Sequence, residues 1–184
     1  NPNLEIQTLI MVPSRELAIQ IEQVTREMGS GYKVNAIYGG RRITHDKSDL
    51  QHAPGILIGT PGRIADHIRR GTFSPQTIKT LVLDEYDKSL EVGFEEEMME
   101  IMESLTGLKK KILTSATEEV DIPAFVGLKH PQYVNFLDNG IENLRIRTIV
   151  SPEKDKLPSL VKALYPIGHA PGIIFCNYRD AIER

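Results

Sequence analysis

The chain has no tryptophan, a single cysteine and few aromatic residues of any kind (6%). One thiol, Cys176, cannot build an intramolecular disulfide framework, and its isolation points to a reducing, intracellular setting. Positive charge is not in excess either. Lys and Arg number 22 against 25 Asp and Glu, a formal net charge of −3. A nucleic-acid binder working by general attraction would be basic, so any phosphate contacts must be local, made by a few cations and backbone N–H groups. Long apolar runs are missing as well. Leu9-Ile10-Met11-Val12 is among the longest, far short of the ~20 residues needed to span a bilayer. No N-terminal stretch joins a basic start to an apolar run, as a signal peptide would. The expectation is a cytoplasmic chain without a membrane partner. The five histidines, at 45, 52, 67, 130 and 169, show no metal-ligand spacing.

What is present is an ordinary globular mixture, 40% hydrophobic and 26% charged over 184 residues. That length suits one domain, or one domain and part of another. Short apolar runs alternate with helical patterns, which predicts an α/β fold with a mostly parallel sheet. Thr8–Val12 is the first strand. Leu17, Ile21, Val24 and Met28 then recur at helical spacing, with Ser14 as N-cap and Gly29-Ser30-Gly31 as the stop. A strand near Val34–Tyr38, a helix near Ile43–Leu50 and a strand at Ile56–Ile58 follow. Thr60-Pro61 opens the next helix as N-cap and first-turn proline. Leu81-Val82-Leu83 is a buried strand, and Phe94, Met98, Ile101, Met102 and Leu105 face the core from the helix behind it. Met98, Met99 and Met102 are all expected in that core. Lys111–Thr114 is a further strand, and a helix near Ile122–Leu128 and a strand at Tyr133–Phe136 close the unit.

Residues 138–143 are polar and turn-rich and suit a linker. Beyond them the pattern predicts a strand near Arg145–Val150, a helix from about Pro152 to Leu164, a strand at Gly172–Cys176 and the start of a helix. That is roughly forty residues, too few to bury an independent core.

Leu81-Val82-Leu83-Asp84-Glu85 is an apolar strand ending in two acids. Ligands in open α/β sheets sit at the C-terminal ends of the strands. A lone carboxylate there suits Mg²⁺, which retains several waters, and a second can orient or deprotonate an attacking water. Acids at strand ends also simply cap the next helix, and Asp84-Glu85 alone does not decide between these roles. Neither do Gly39-Gly40 and Thr60-Pro61, which would serve equally as a turn and a cap. Phe175 and Cys176 read as packing residues, and Glu95-Glu96-Glu97 as a solvated first turn.

The set is more specific than its members. Pro13-Ser14-Arg15-Glu16-Leu17-Ala18-Ile19-Gln20, Gly39-Gly40, Thr60-Pro61-Gly62-Arg63, Asp84-Glu85-Tyr86-Asp87 and Ser115-Ala116-Thr117 occur in that order. The series resembles motif Ia, the GG doublet, motif Ib, motif II and motif III of DEAD-box ATP-dependent RNA helicases, a branch of superfamily 2. Gly172–Asn177 resembles motif IV, which opens that family's second domain. The resemblance implies a RecA-like parallel sheet flanked by helices over residues 1–137, the linker at 138–143, and the N-terminal part of a second RecA-like domain over 144–184.

It also implies roles. Asp84 would hold Mg²⁺ through water, with Glu85 polarising the hydrolytic water. Asp87 would link to Ser115 and Thr117, coupling nucleotide state to domain closure. Single-stranded RNA, or a strand of a duplex, would be gripped by its backbone along Pro13, Ser14, Arg15, Gly39, Gly40, Thr60, Pro61, Gly62 and Arg63. The chemistry suits this: a helix start offers free N–H groups, arginine forks match phosphate oxygens, and glycine allows close approach. A helicase of this kind couples ATP hydrolysis to local duplex unwinding. The alternatives are a non-enzymatic RNA-binding or partner-binding module that keeps the same motifs, and a DNA-directed helicase of the same superfamily, which the motif set matches less well.

Two departures stand out. Tyr86 occupies the position where the family usually has alanine. No G-x-x-x-x-G-K-[ST] occurs, nor the aromatic-plus-Gln element that reads adenine, nor the arginine-rich motif of the second domain. Without the phosphate loop, the main grip on the β- and γ-phosphates is absent. The expectation is therefore a truncated chain that lacks the phosphate-loop strand, does not bind ATP and Mg²⁺ tightly and does not hydrolyse ATP. In a RecA-like sheet that strand lies beside the one carrying Ser115-Ala116-Thr117. Its neighbours near Ile112–Thr114 and Tyr133–Phe136 would then form an exposed edge, to be closed by self-association or a protein partner.

Overall fold

The computed structural model describes residues 5–117, 121–136, 145–152, 154–177 and 181–182. The chain divides into two compact units, Asn1–Asp138 and Asn139–Arg184.

The first unit is a five-stranded sheet, all parallel, in the order β2-β3-β1-β4-β5. Its strands are β1 (Thr8–Met11), β2 (Val34–Ile37), β3 (Ile56–Gly59), β4 (Thr80–Leu83) and β5 (Lys110–Leu113). Helices α1 (Arg15–Glu27), α2 (Ile43–Leu50), α3 (Pro61–Arg69), α4 (Tyr86–Glu91) and α5 (Glu95–Ser104) alternate with them. Successive side chains on a strand point to opposite faces, so each apolar run feeds two cores. On one face Leu9, Met11, Leu57, Leu81 and Leu83 meet Ile64 and Ala65 of α3 and Met98 and Ile101 of α5. On the other, Val12, Val34, Ala36 and Ile58 meet Ala18 of α1, with Ile10, Leu17 and Ile21 packed against them. This is the parallel α/β arrangement that the alternating pattern predicts, and it agrees with the RecA-like sheet that the family resemblance implies.

Local signals explain most boundaries. Ser14 caps α1, accepting the Leu17 N–H at 3.2 Å, and Gly29 follows the helix at φ +64°. Pro61 sits in the first turn of α3 behind Thr60. Gly59 allows β3 to close on β2: a Cβ there would lie 2.6 Å from the Ile37 carbonyl oxygen.

Several expectations are corrected. Tyr133–Phe136 is not a strand, and its residues are exposed. Among the described residues β5 pairs only with β4, so nothing holds a further strand in register. The helix expected near Ile122–Leu128 is a single 3₁₀ turn, Ala124–Val126, ended by Gly127 at φ +59°. Val24 and Met28 are exposed while Glu22 and Thr25 are half-buried, so the inward face of α1 turns away from them. Met99 is exposed while Met98 and Ile101 are buried, since adjacent helical positions lie about 100° apart and cannot share one face. Unexpected is α4, which turns directly out of the acidic run after β4.

In the second unit α6 spans Leu157–Leu164, shorter than anticipated. The runs at Arg145–Val150 and Gly172–Cys176 form no strand, and no described residue of this unit is buried. An extended segment with no neighbour to complete its hydrogen bonds is not stable as a strand. The linker at 138–143 and the helix start after Asn177 lie outside the described residues, apart from Ala181 and Ile182.

Candidate functional site

Parallel strands bring all their C-terminal ends to one edge of the sheet, and the singled-out motifs follow those ends. Pro13, Ser14 and Arg15 follow β1, Gly39-Gly40 follows β2, and Thr60–Arg63 follows β3. The acidic run follows β4 and Ser115–Thr117 follows β5. The motifs are spread over about a hundred residues of sequence, and topology gathers them.

Asp84 continues the ladder beyond β4, its N–H donating to the Met11 carbonyl at 2.9 Å. The next residue breaks it: Glu85 adopts φ 48°, ψ 51°, a left-handed conformation that non-glycine residues rarely take. This turn throws the chain sideways into α4, leaving Glu85 exposed while Tyr86 and Asp87 become buried. Thr114 stabilises the turn from the neighbouring strand end. Its hydroxyl donates to Asp84 Oδ1 at 2.5 Å and accepts the Glu85 N–H at 3.3 Å, and its carbonyl accepts the Tyr86 N–H at 3.2 Å. Thr114 belongs to none of the motifs. Its only signal in the sequence is a hydroxyl at the end of an apolar run.

Asp87 is fully buried on α4. Thr117 donates its hydroxyl to Asp87 Oδ2 at 3.2 Å, whereas Asp87 Oδ1 has no hydrogen-bond partner among the described residues. Ser115 does not reach Asp87. Its hydroxyl donates to the Thr117 carbonyl at 2.7 Å and accepts the Thr117 N–H at 3.1 Å, closing its own turn. Of the expected pair of links, the structure brings together only Asp87 and Thr117, because Ser115 is spent on shaping the loop that delivers Thr117. Burial, then the negative charges of Asp87, Tyr133 and Asp121, raise the Tyr86 pKa above the ordinary phenol value.

The donor set bears on a metal. Among the described residues no three His, Cys, Asp or Glu side chains cluster as direct ligands. Asp84, with one oxygen held by Thr114, suits a cation reached through water, the mode that Mg²⁺ favours.

At the other end of this edge lies a cationic cluster. Arg15 is exposed and its guanidinium lies over the Tyr38 ring, 5.5 Å from the centroid; Arg41 lies over the same ring at 5.7 Å. Gly40, at φ +84°, leaves room for Arg15: a Cβ there would meet Nη1 at 3.4 Å. Arg63 is not a free phosphate fork. Its Nε donates to Asp46 Oδ2 at 2.6 Å and its Nη2 to the Arg41 carbonyl at 2.8 Å, and only 13% of the side chain is exposed. A fully buried carboxylate requires a cationic partner, and Arg63 is within reach of it. Thr60 is buried and makes no side-chain cap bond to α3, while Pro61 is buried and Gly62 partly so.

Comparison with known proteins gives a consistent answer. The family model described as DEAD/DEAH box helicase matches residues 2–123. The chain is similar to the ATP-dependent RNA helicase CshA of Limosilactobacillus reuteri, 42% identical over 124 residues, which cover 66% of this chain and 24% of that protein. A crystal structure of a DEAD box protein from the hyperthermophile Methanococcus jannaschii superposes with TM-score 0.60 at 34% identity, over 68% of this chain and 34% of that one. A crystal structure of a hypothetical ATP-dependent RNA helicase from Sulfolobus tokodaii superposes with TM-score 0.58 at 29% identity, over 61% of this chain and 34% of that one. The chain thus spans a quarter to a third of the length of these relatives.

Proposed function

Because the chain belongs to the DEAD/DEAH box helicase family, we propose that it carries the acidic half of an ATP-hydrolysis site and an RNA-backbone face, as part of an ATP-dependent RNA helicase that opens short duplexes. The observation that carries this reading is the pair of hydroxyl clamps between adjacent strand ends, Thr114 on Asp84 and Thr117 on Asp87. They fix the acids where an open α/β sheet receives its ligand. When bound, Mg²⁺ would neutralise phosphate charge at Asp84, with water between. Glu85, exposed on its left-handed turn, is free to orient and accept a proton from the attacking water. Asp87 and Thr117 would transmit any shift of the β5 loop to α4.

The RNA face is assigned to Pro13, Ser14, Arg15, Gly39, Gly40, Thr60, Pro61 and Gly62, with Arg15 as its exposed cation and Arg63 supporting it from within. Phosphate contacts position a strand without reading its bases, so little sequence preference is expected. Residues 1–137 are assigned to the first RecA-like domain, 138–143 to a linker and 144–184 to the start of the second. The division into contact units between Asp138 and Asn139 supports that assignment. A cytoplasmic location belongs to the same reading. Among the described residues no helix is long and apolar enough to cross a membrane.

The 184 residues contain no phosphate loop. By themselves they are expected neither to hold ATP and Mg²⁺ tightly nor to hydrolyse ATP, and RNA-stimulated phosphate release from this polypeptide would contradict that. A phosphate loop encoded upstream would decide for the enzyme over an RNA-binding module. On the chain itself, Arg15→Ala should weaken binding of a labelled single-stranded oligouridylate by about tenfold, the loss of one charge-assisted contact. Unchanged binding would remove the RNA face. The outer edge of β5, with Ile112 at 38% exposure, is the proposed site at which a second copy adds a strand. Sedimentation should show concentration-dependent association that Ile112→Lys suppresses, and a wild type monomeric at every concentration would exclude it.

A further inference from the structure

Asp46, on the buried side of α2, belongs to none of the motifs, yet the cationic end of the site is organised around it. The residue is fully buried. Arg63 Nε donates to its Oδ2 at 2.6 Å, and His67 Nε2 lies 3.1 Å from the same oxygen. A carboxylate only accepts, so His67 donates from Nε2. Arg41 Nε stands 2.8 Å from Oδ1, an ion pair without hydrogen-bond alignment. Burying a carboxylate is costly unless it is paired, and two guanidiniums this close would repel each other without it. Each therefore requires the other: the carboxylate holds both arginines, and the arginines make its burial tolerable.

What the arginines do next gives the arrangement a consequence. Arg63, in the first turn of α3, also donates to the Arg41 carbonyl at 2.8 Å, tying that helix start to the loop after Gly40. Arg41 reaches on to Asp49 Oδ2 at 2.5 Å and lies over the Tyr38 ring. Burial opposes the Arg41 charge, but Asp49, Asp46 and Tyr38 more than offset it and its pKa is raised. Arg15, the exposed cation, rests over the same ring. A continuous set of contacts thus runs from Asp46 through Arg41 and Tyr38 to Arg15, with Arg63 bracing the loop between.

We propose that Asp46 is a positioning residue of the RNA-backbone face, setting Arg15 for phosphate by holding Arg41 against the Tyr38 ring and Arg63 against the loop 39–42. The inference rests on the RNA reading given above. It assigns a function to a buried side chain that touches no RNA, and it accounts for Arg63 serving the face without presenting its own fork.

A double-mutant cycle on the 184-residue chain tests it, read as affinity for a labelled single-stranded oligouridylate, with a thermal melt on each variant. Asp46→Asn keeps the shape but removes the charge, and turns an amide donor toward a guanidinium. It should weaken binding about fivefold in the wild-type background and less than about twofold once Arg15→Ala is present, because the two changes act through one path. The same factor in both backgrounds would mean that Asp46 only supports the fold, and unchanged affinity for Asp46→Asn would overturn the proposal outright. Should Asp46→Asn fail to fold, Arg41→Met supplies the cycle. It keeps the apolar stem and drops the charge, and additivity with Arg15→Ala overturns the inference equally. If Arg15→Ala binds like wild type, the RNA reading itself falls and takes this one with it. An effect of Arg15→Ala without coupling to Asp46 leaves the RNA reading standing and removes the positioning role alone.

Discussion

Glu85 shows how a single residue departs from its preferred conformation to shape a site. Its left-handed backbone costs on the order of 1 kcal/mol for an ordinary side chain, and it also holds the N-cap position of α4 without capping it by its side chain. Asparagine suits both circumstances, tolerating positive φ and capping well. Glu85→Asn should therefore stabilise the chain by roughly 0.5 kcal/mol, seen as a higher denaturant midpoint with unchanged slope. A lower midpoint would show that the turn is not strained. Tyr86, one residue on, yields a prediction in pH. Its folded pKa is raised above the unfolded value, so the neutral phenol is favoured on folding. The stability that this contributes is complete below the unfolded value, near 10, and is lost as pH rises through the folded one. Tyr86→Phe should remove part of the alkaline fall in stability, measured by denaturation from pH 9 to pH 11. An unaltered alkaline limb would refute the assignment.

At the scale of elements, the boundaries were legible where a side chain and the backbone agree. Ser14 before α1, Pro61 at the start of α3 and the apolar runs of β1, β3 and β4 all name their own structure. They fail where the deciding partner is remote. Tyr133–Phe136 carries strand-forming residues but lies exposed and outside the sheet, and β propensity is a preference for a packed surface more than for a backbone shape. Thr114, Asp46 and His67 were invisible for a related reason. Each acts on a residue 20 to 30 positions away, and nothing local distinguishes them from ordinary polar residues. Gly59 is the opposite case, a local identity with a non-local cause. Gly59→Ala would push a methyl to 2.6 Å from the Ile37 carbonyl, forcing β2 and β3 apart. It should cost about 1–3 kcal/mol by chemical denaturation, the usual range for overpacking. A loss under about 0.5 kcal/mol would mean that the strands give way freely.

Over the whole molecule, the two units differ in what they bury. The first encloses two apolar clusters on either side of its sheet, while the described residues of the second leave Val161, Ile173 and Phe175 at 58%, 81% and 91% exposure. Amide exchange measured by mass spectrometry should find β1, β3 and β4 protected up to the global unfolding energy. Residues 145–177 should exchange near the free-chain rate. Strong protection of Gly172–Cys176 would show that this run has found a strand partner, through another chain or within its own.

By itself the sequence determined the α/β class and the parallel rhythm, and its motifs, in their order along the chain, carry the resemblance to the family. The class and the rhythm follow from periodicity and caps, and the resemblance from short motifs; all are properties of contiguous residues. Only the tertiary structure decided which side chains at the sheet edge face a ligand and which face each other. It sent Arg63 inward to Asp46, left Arg15 outward over Tyr38, and gave Asp87 to Thr117 and not to Ser115. The physical reason is burial. A charge removed from water must find its counter-charge, and which one lies within reach depends on how strands distant in sequence are laid side by side.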